Sequence, residues 1–128
     1  MVKIIYLLAG GALGSLSRYL VSGLSHKLIS GTFPWGTLVA NSTGALLIGI
    51  CWGLFEMRDI SPQARMFIFV GFLGGYTTFS TFALETMNLV RDGDIRMAVM
   101  NIFLNNLLSL LFVFAGYFLS KGLLTSLK

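Results

Sequence analysis

A chain of 128 residues and 14.0 kDa that is 55% hydrophobic, only 11% charged and has a mean hydropathy of +0.83 cannot hide its apolar surface in a soluble core. That composition excludes a disordered tail, a disulfide scaffold and most soluble enzymes. The net charge of +4 does not point to nucleic acid, because the nine Lys and Arg residues are scattered, mostly beside apolar segments, where basic side chains flank membrane helices.

A bilayer can solvate such a chain. Each membrane helix consumes about 20 apolar residues, so four spans just fit, and the sequence predicts an all-α integral membrane protein with one domain over 1–128. The first predicted span covers about residues 4–24, with Lys3 before it and Ser25-His26-Lys27 after. A cleaved leader is the rival reading, but Arg18 and the unbroken apolarity up to Leu24 argue against it. The second span, about 38–55, is entered through Phe33-Pro34-Trp35-Gly36-Thr37, a proline and tryptophan suited to a helix start at the membrane interface. The third, about 65–90, follows the polar turn from Glu56 to Pro62. The fourth, about 97–124, follows the turn Arg91-Asp92-Gly93-Asp94.

Four spans put both termini on the side of the second loop, which gives Lys3, Arg58, Arg65, Lys121 and Lys128 on that side and Lys27, Arg91 and Arg96 on the other. The positive-inside rule normally acts on a clearer excess. A near-even count allows both insertions and hence an antiparallel homodimer; a single, weakly biased topology fits the same count. Gly10 and Gly14, Gly11 and Ser15, and Gly71 and Gly75 each stand four apart, which predicts close helix packing. Cys51 is the only cysteine and His26 the only histidine, too few for a disulfide, a thiol cluster or a histidine metal site.

The third span carries Gly71-Phe72-Leu73-Gly74-Gly75-Tyr76-Thr77-Thr78-Phe79-Ser80-Thr81-Phe82. Paired glycines weaken a helix and paired threonines can bond their own backbone, so a break near mid-membrane is expected. Freed carbonyls there must be buried in protein or face water or an ion. A kink that serves packing alone is the plainer reading of the same residues. Phe79 and Phe82 share a helix face, while Ser80, Thr81 and Glu85 lie on other faces. Arg18 and Glu85 are ionisable groups well inside spans, which makes each a functional candidate or half of a structural ion pair.

Thr37, Asn41 and Ser42 place donors on the second span, and Asn101, Asn105 and Ser109 form a stripe at i, i+4 and i+8 on the fourth, with Asn106 beside it. Asparagine inside a span is usually interhelical glue. Two amide-bearing faces exceed what glue requires and make a polar pathway credible. Neutral donors and phenylalanine ring edges suit a small anion in a narrow file. These residues alone do not identify it.

The string Gly74-Gly75-Tyr76-Thr77-Thr78-Phe79-Ser80-Thr81-Phe82 resembles the signature of the Fluc, or CrcB, family of fluoride channels. Gly10-Gly11-Ala12-Leu13-Gly14 with Arg18, Gly36-Thr37-Leu38-Val39-Ala40-Asn41, and the stripe Asn101, Asn105 and Ser109 resemble its other three helices, so the likeness spans essentially the whole chain. The resemblance implies a dual-topology antiparallel homodimer in the cell membrane, the inner membrane of a bacterium. Two narrow pores at the dimer interface would pass fluoride by passive electrodiffusion and protect against its toxicity, with no catalytic residue. It implies Phe79 and Phe82 as pore-lining rings and Asn41 as the pore amide. Ser80, Thr81 and Glu85 would form the adjoining polar track, with Thr37, Asn101, Asn105 and Ser109 alongside. Arg18 would sit near the vestibule. Backbone carbonyls of Gly74 and Thr77 would hold a central structural sodium ion.

Three other readings compete. A four-helix multidrug or cation exporter needs an acid deep in the first span, where this chain has Arg18 and no acid. A non-transporting assembly subunit explains the glycines but not the polar stripes. A membrane enzyme lacks a visible nucleophile–base pair or metal cluster.

Overall fold

The computed structural model describes residues 1–56 and 60–126 and is all-helical. Helix α1 spans Val2–Leu28 and α2 spans Trp35–Phe55. The third span is composite. It opens with α3, Pro62–Arg65, winds as a π-helix over Met66–Leu73, returns to α-helix in α4, Gly74–Tyr76, and resumes after a break as α5, Phe79–Arg91. Helix α6 spans Ile95–Ser126. Four stretches are long and apolar enough to cross a bilayer: Val2–Leu28, Trp35–Phe55, Pro62–Arg91 and Ile95–Leu123. The four-helix count is as expected; α1, the composite third span and α6 extend past both expected edges by one to four residues, whereas α2 starts three residues earlier and ends at Phe55.

The surface explains why a bilayer is needed. Leu8, Leu13, Leu16, Leu20 and Leu24 of α1 and Phe103, Leu110, Phe114 and Phe118 of α6 are all exposed, an outer coat that water would penalise and lipid tails accept. Between helices there is little apolar driving force left, so glycines set the packing. Helix α1 lies along the π-helical stretch, and α2 along α6. A Cβ added at Gly10 would meet the Phe72 backbone nitrogen at 2.9 Å, and one at Gly14 the Tyr76 nitrogen at 3.0 Å. Across the other pair, a Cβ at Gly49 would meet the Tyr117 nitrogen at 3.0 Å, and one at Gly116 the Ile50 nitrogen at 2.9 Å.

The break falls where the sequence puts it, and of the two expected causes the threonines rather than the glycines supply it. Gly74 and Gly75 stay helical, whereas Thr77 (φ −86°, ψ 158°) and Thr78 (φ −154°, ψ 123°) are extended. Stiff β-branched side chains favour that conformation, and no residue in the break needs a positive φ. The glycines serve contact instead: a Cβ on Gly75 would meet the Gly11 carbonyl oxygen at 2.8 Å. The π-helical winding before the break had no signal in the sequence pattern.

Three of the basic residues counted on the side of the second loop, Lys3, Arg65 and Lys121, lie near span ends. Lys3 and Arg65 line one pocket with Trp52, while Lys121 pairs with Glu56, directly after α2. Arg58 and Lys128 lie outside the described residues.

Candidate ion pathway

Breaking a helix in mid-membrane strands backbone donors and acceptors, and the chain answers with side chains from α2 and α5. Asn41, on α2, faces the break and holds Thr78 by both of its backbone groups. The Thr78 N–H donates to Asn41 Oδ1 at 2.8 Å, and Asn41 Nδ2 donates to the Thr78 carbonyl at 3.1 Å. Thr78 then caps α5, its Oγ1 accepting from the Thr81 N–H at 3.2 Å. The Thr78 hydroxyl also contacts Thr81 Oγ1 at 3.1 Å and Ser80 Oγ at 3.3 Å, so Ser80 and Thr81 form one hydroxyl cluster at the helix start.

These bonds have a consequence for two carbonyls. In a continuous helix the Thr78 N–H would take the Gly74 carbonyl and the Thr81 N–H the Thr77 carbonyl. Both donors are diverted, the first to Asn41 and the second to Thr78 Oγ1. Gly74 and Thr77 are thereby left with carbonyls deprived of their helical donors, and both residues line the same groove.

Behind Asn41 the amides form a relay. Asn41 Nδ2 donates to Asn105 Oδ1 at 3.1 Å, Asn105 Nδ2 to Asn101 Oδ1 at 2.7 Å, and Asn101 Nδ2 to Thr86 Oγ1 at 2.9 Å. The Thr86 hydroxyl ends the chain on the Phe82 carbonyl at 2.8 Å. Asn101 is 0% exposed, so this part of the stripe is fully inside the protein. The relay ties α2, α5 and α6 together.

A groove of about 450 Å³ opens beside the break. Asn41, Asn105, Asn106 and Ser109 line it together with Phe79 and Phe82. The two rings meet edge to face, with centroids 5.3 Å apart and planes at 61°. They differ in exposure: Phe82 is 7% exposed, whereas Phe79 is 76% exposed at the groove mouth. The Ser109 hydroxyl makes no hydrogen bond with another described residue, and Asn106 spends one amide hydrogen on the Ile102 carbonyl at 2.7 Å. The groove therefore offers a free hydroxyl, a spare amide hydrogen and ring edges, all weakly electropositive.

The remaining candidates lie outside this groove. Thr37 Oγ1 donates to Glu85 Oε1 at 2.8 Å, which joins α2 to α5 by a second polar tie, and Glu85 Oε2 is buried without a partner. An ion pair between Arg18 and Glu85 is not what the structure contains. Glu85 is held by Thr37, and Arg18 is half-buried on α1 with no ion pair among the described residues. Ser80, Thr81 and Asn101 touch the groove only through Thr78, Asn41 and Asn105.

Sequence reasoning missed two contributors. Tyr76 is buried, stacked on Phe72 at 6.0 Å, and shares a hydrogen bond of 2.8 Å with Thr43 of α2, which fixes the end of α4 just before the break. Thr86 terminates the amide relay. Its position one turn after Phe82 was a usable signal, since a hydroxyl inside a span can return a bond to the i−4 carbonyl. Tyr76 had none.

A family model described as "CrcB-like protein, Camphor Resistance (CrcB)" matches residues 5–117. The chain is 43% identical over 128 residues, the full length of both, to a protein of Parabacteroides distasonis named fluoride-specific ion channel FluC. A protein of Pyrococcus horikoshii with the same name is 46% identical over 121 residues, covering 93% of this chain and 97% of its own. Another from Nitrobacter winogradskyi is 56% identical over 91 residues, 70% of this chain and 72% of its own. A model match over most of the length, a full-length relative and four membrane-crossing helices lead to one conclusion: the chain belongs to the CrcB family of membrane proteins, which it shares with these channels.

Proposed function

We propose that this chain is the protomer of a fluoride-selective channel that lets fluoride leave the cell by passive electrodiffusion. The observation that carries the proposal is the groove at the break, which gathers an amide pair, a free hydroxyl and two phenylalanine rings around one opening. Full-length similarity to proteins named fluoride-specific channels supports the choice of ion. Fluoride is small and strongly hydrated. Neutral donors and ring edges can replace part of its water shell while binding it weakly enough to release it.

The protomer works as half of an antiparallel homodimer. Phe79, exposed in an otherwise finished site, supports a second copy closing the groove mouth, and the near-even charge count supports opposed insertion. Two grooves then become two pores. In each, Phe79 and Phe82 present ring edges, Ser109 and Asn106 offer donors along α6, and Asn105 lines the wall with its own amide hydrogens held by Asn101. Asn41 keeps its paired bonds to Thr78, which fix its amide plane, and its other hydrogen passes from Asn105 Oδ1 to the ion. Ser80, Thr81 and the Thr37–Glu85 pair form a polar track on the other flank of α5, and Asn101 braces the relay from behind. Arg18 adds a positive field that draws anions toward an entrance.

A structural sodium ion fits the break. Gly74 and Thr77 have carbonyls whose helical donors are turned elsewhere, and oxygen atoms freed in this way are the ligands a hard cation takes. Bound there, sodium would satisfy those carbonyls and lock the two extended threonines. Ion flow needs no chemical step from any of these residues.

Efflux from liposomes holding the purified chain, followed with fluoride and chloride electrodes, tests the proposal. Fast fluoride release with chloride retained is expected. Rapid chloride release, or no fluoride release from folded protein, overturns it.

A further inference from the structure

A second pocket, of about 320 Å³, shares Phe69 with the groove and is otherwise lined by different residues. Three separate span ends build it: Lys3 from the first turn of α1, Trp52 from the last turn of α2, and Arg65 at the start of the third span. Span ends lie where hydrocarbon gives way to headgroups, and a tryptophan is at home there. Lys3 and Arg65 are both exposed, neither forms an ion pair among the described residues, and no acidic side chain among those residues lines the pocket. By contrast, Arg91 at the other end is met by Asp92 at 3.5 Å and Lys121 by Glu56 at 2.6 Å.

The wall below the two cations is apolar. Met66, Phe69 and Val70 run along the π-helical stretch away from the rim, toward the membrane interior. The Phe69 ring is fixed edge-on by Trp52 at 5.7 Å and by Phe55 at 5.8 Å, so this wall has a defined shape. Two cations without an ion pair among the described residues, above an aromatic and aliphatic wall at a span end, match a molecule with an anionic head and an apolar tail. A free inorganic anion would use only the rim.

We propose that this pocket binds one anionic phospholipid, its phosphate between Lys3 and Arg65 and an acyl chain along Met66, Phe69 and Val70. Two basic groups close to an anionic headgroup favour it over a zwitterionic one by about tenfold or more. Because the site is separate from the groove, its occupancy is independent of which ion the chain conducts.

Native mass spectrometry of the purified chain, offered equal amounts of phosphatidylglycerol and phosphatidylcholine, tests this. The parent chain should retain phosphatidylglycerol preferentially, by about tenfold. The double variant K3Q/R65Q should bring the two lipids close to parity, while R91Q/R96Q, which removes two charges at the other end, should keep the preference. If the double variant fails to fold, K3Q and R65Q singly carry the same comparison, each with a partial loss. Equal retention of both lipids by the parent, an undiminished preference in the Lys3 and Arg65 variants, or displacement of the lipid by excess inorganic phosphate overturns the proposal. The first two outcomes would mean ordinary snorkelling at the interface, and the third a site for the anion alone.

Discussion

Two regions of this protein solve the same problem, holding helices together in lipid, by opposite means. Along α1 and the π-helical stretch, and again between α2 and α6, backbones touch because side chains are missing at Gly10, Gly14, Gly49 and Gly116. Around the break, polar side chains hold the helices by directed bonds from Asn41, Asn105 and Asn101. The first device has no tolerance for added volume. The second is tolerant of volume but depends on which atom donates. A glycine seam is therefore a stability device, whereas an amide relay costs little stability to alter and fixes the geometry of a site.

The largest expected effect tests the seam. Gly14→Ala and Gly49→Ala each push a methyl group into backbone atoms that cannot turn aside, at a cost of about 1–3 kcal/mol or more. Both should cut the yield of monodisperse protein in size-exclusion chromatography. Gly23→Ala, where a Cβ meets nothing within 4 Å, should leave it unchanged. Equal behaviour of all three would remove the distinction between the regions.

Next comes the relay. Interhelical hydrogen bonds in membranes contribute about 0.6 kcal/mol each, so Asn41→Ala should lower thermal stability only modestly. Fluoride efflux should nevertheless fall by about tenfold, equivalent to some 1.4 kcal/mol of barrier, because the Thr78 backbone loses both its partners. Asn41→Asp sharpens the point. It keeps the acceptor for the Thr78 N–H and deletes both donors, so efflux should fall as far as in the alanine variant if the donors matter. Parent-like efflux in Asn41→Asp would assign Asn41 to bracing alone.

A smaller loss is expected for Phe82→Ile, which keeps an apolar, somewhat smaller side chain in a buried position and removes the ring edge. Efflux should drop several-fold with the melting temperature held; unchanged efflux would take Phe82 out of the pathway.

The smallest effect concerns charge at the helix ends. Hydrogen bonds from Lys121 and then Tyr117 hold the Glu56 carboxyl below its ordinary range. A lowered folded-state pKa adds stability that is present above the unfolded value and lost as pH falls through the lowered one. Melting curves recorded from neutral pH into acid should show the parent losing slightly more than Glu56→Gln. The difference is small, because Glu56 is exposed and solvent screens the pair. Parallel pH profiles would show that this tie between α2 and α6 contributes nothing.

Much of this was legible in the residues. Phe79 and Phe82 read as one face and meet as rings; Asn101 and Asn105 read as a stripe and are hydrogen-bonded. Both are i+3 or i+4 relations, which helix geometry alone determines. Arg18 and Glu85 show the limit. As the ionisable groups inside spans they invited pairing, yet the Glu85 partner is Thr37, 48 residues away in sequence. Nothing in local periodicity encodes that meeting. Likewise the double glycine was an obvious reason for the break and was not the operative one, because close contact with α1 rather than chain flexibility is what Gly75 supplies.

Length and composition by themselves determined that this chain lives in a bilayer, since 128 residues at a mean hydropathy of +0.83 leave no soluble alternative and just suffice for four spans. The signature string and the stripes determined the family. Tertiary structure decided what the polar residues do with one another: Asn41 clamps Thr78, the relay runs back to Thr86, and the carbonyls of Gly74 and Thr77 lose their helical donors. The physical reason is that local spacing fixes which face a side chain takes, whereas a buried donor is satisfied by whichever acceptor the packing of other helices brings within reach.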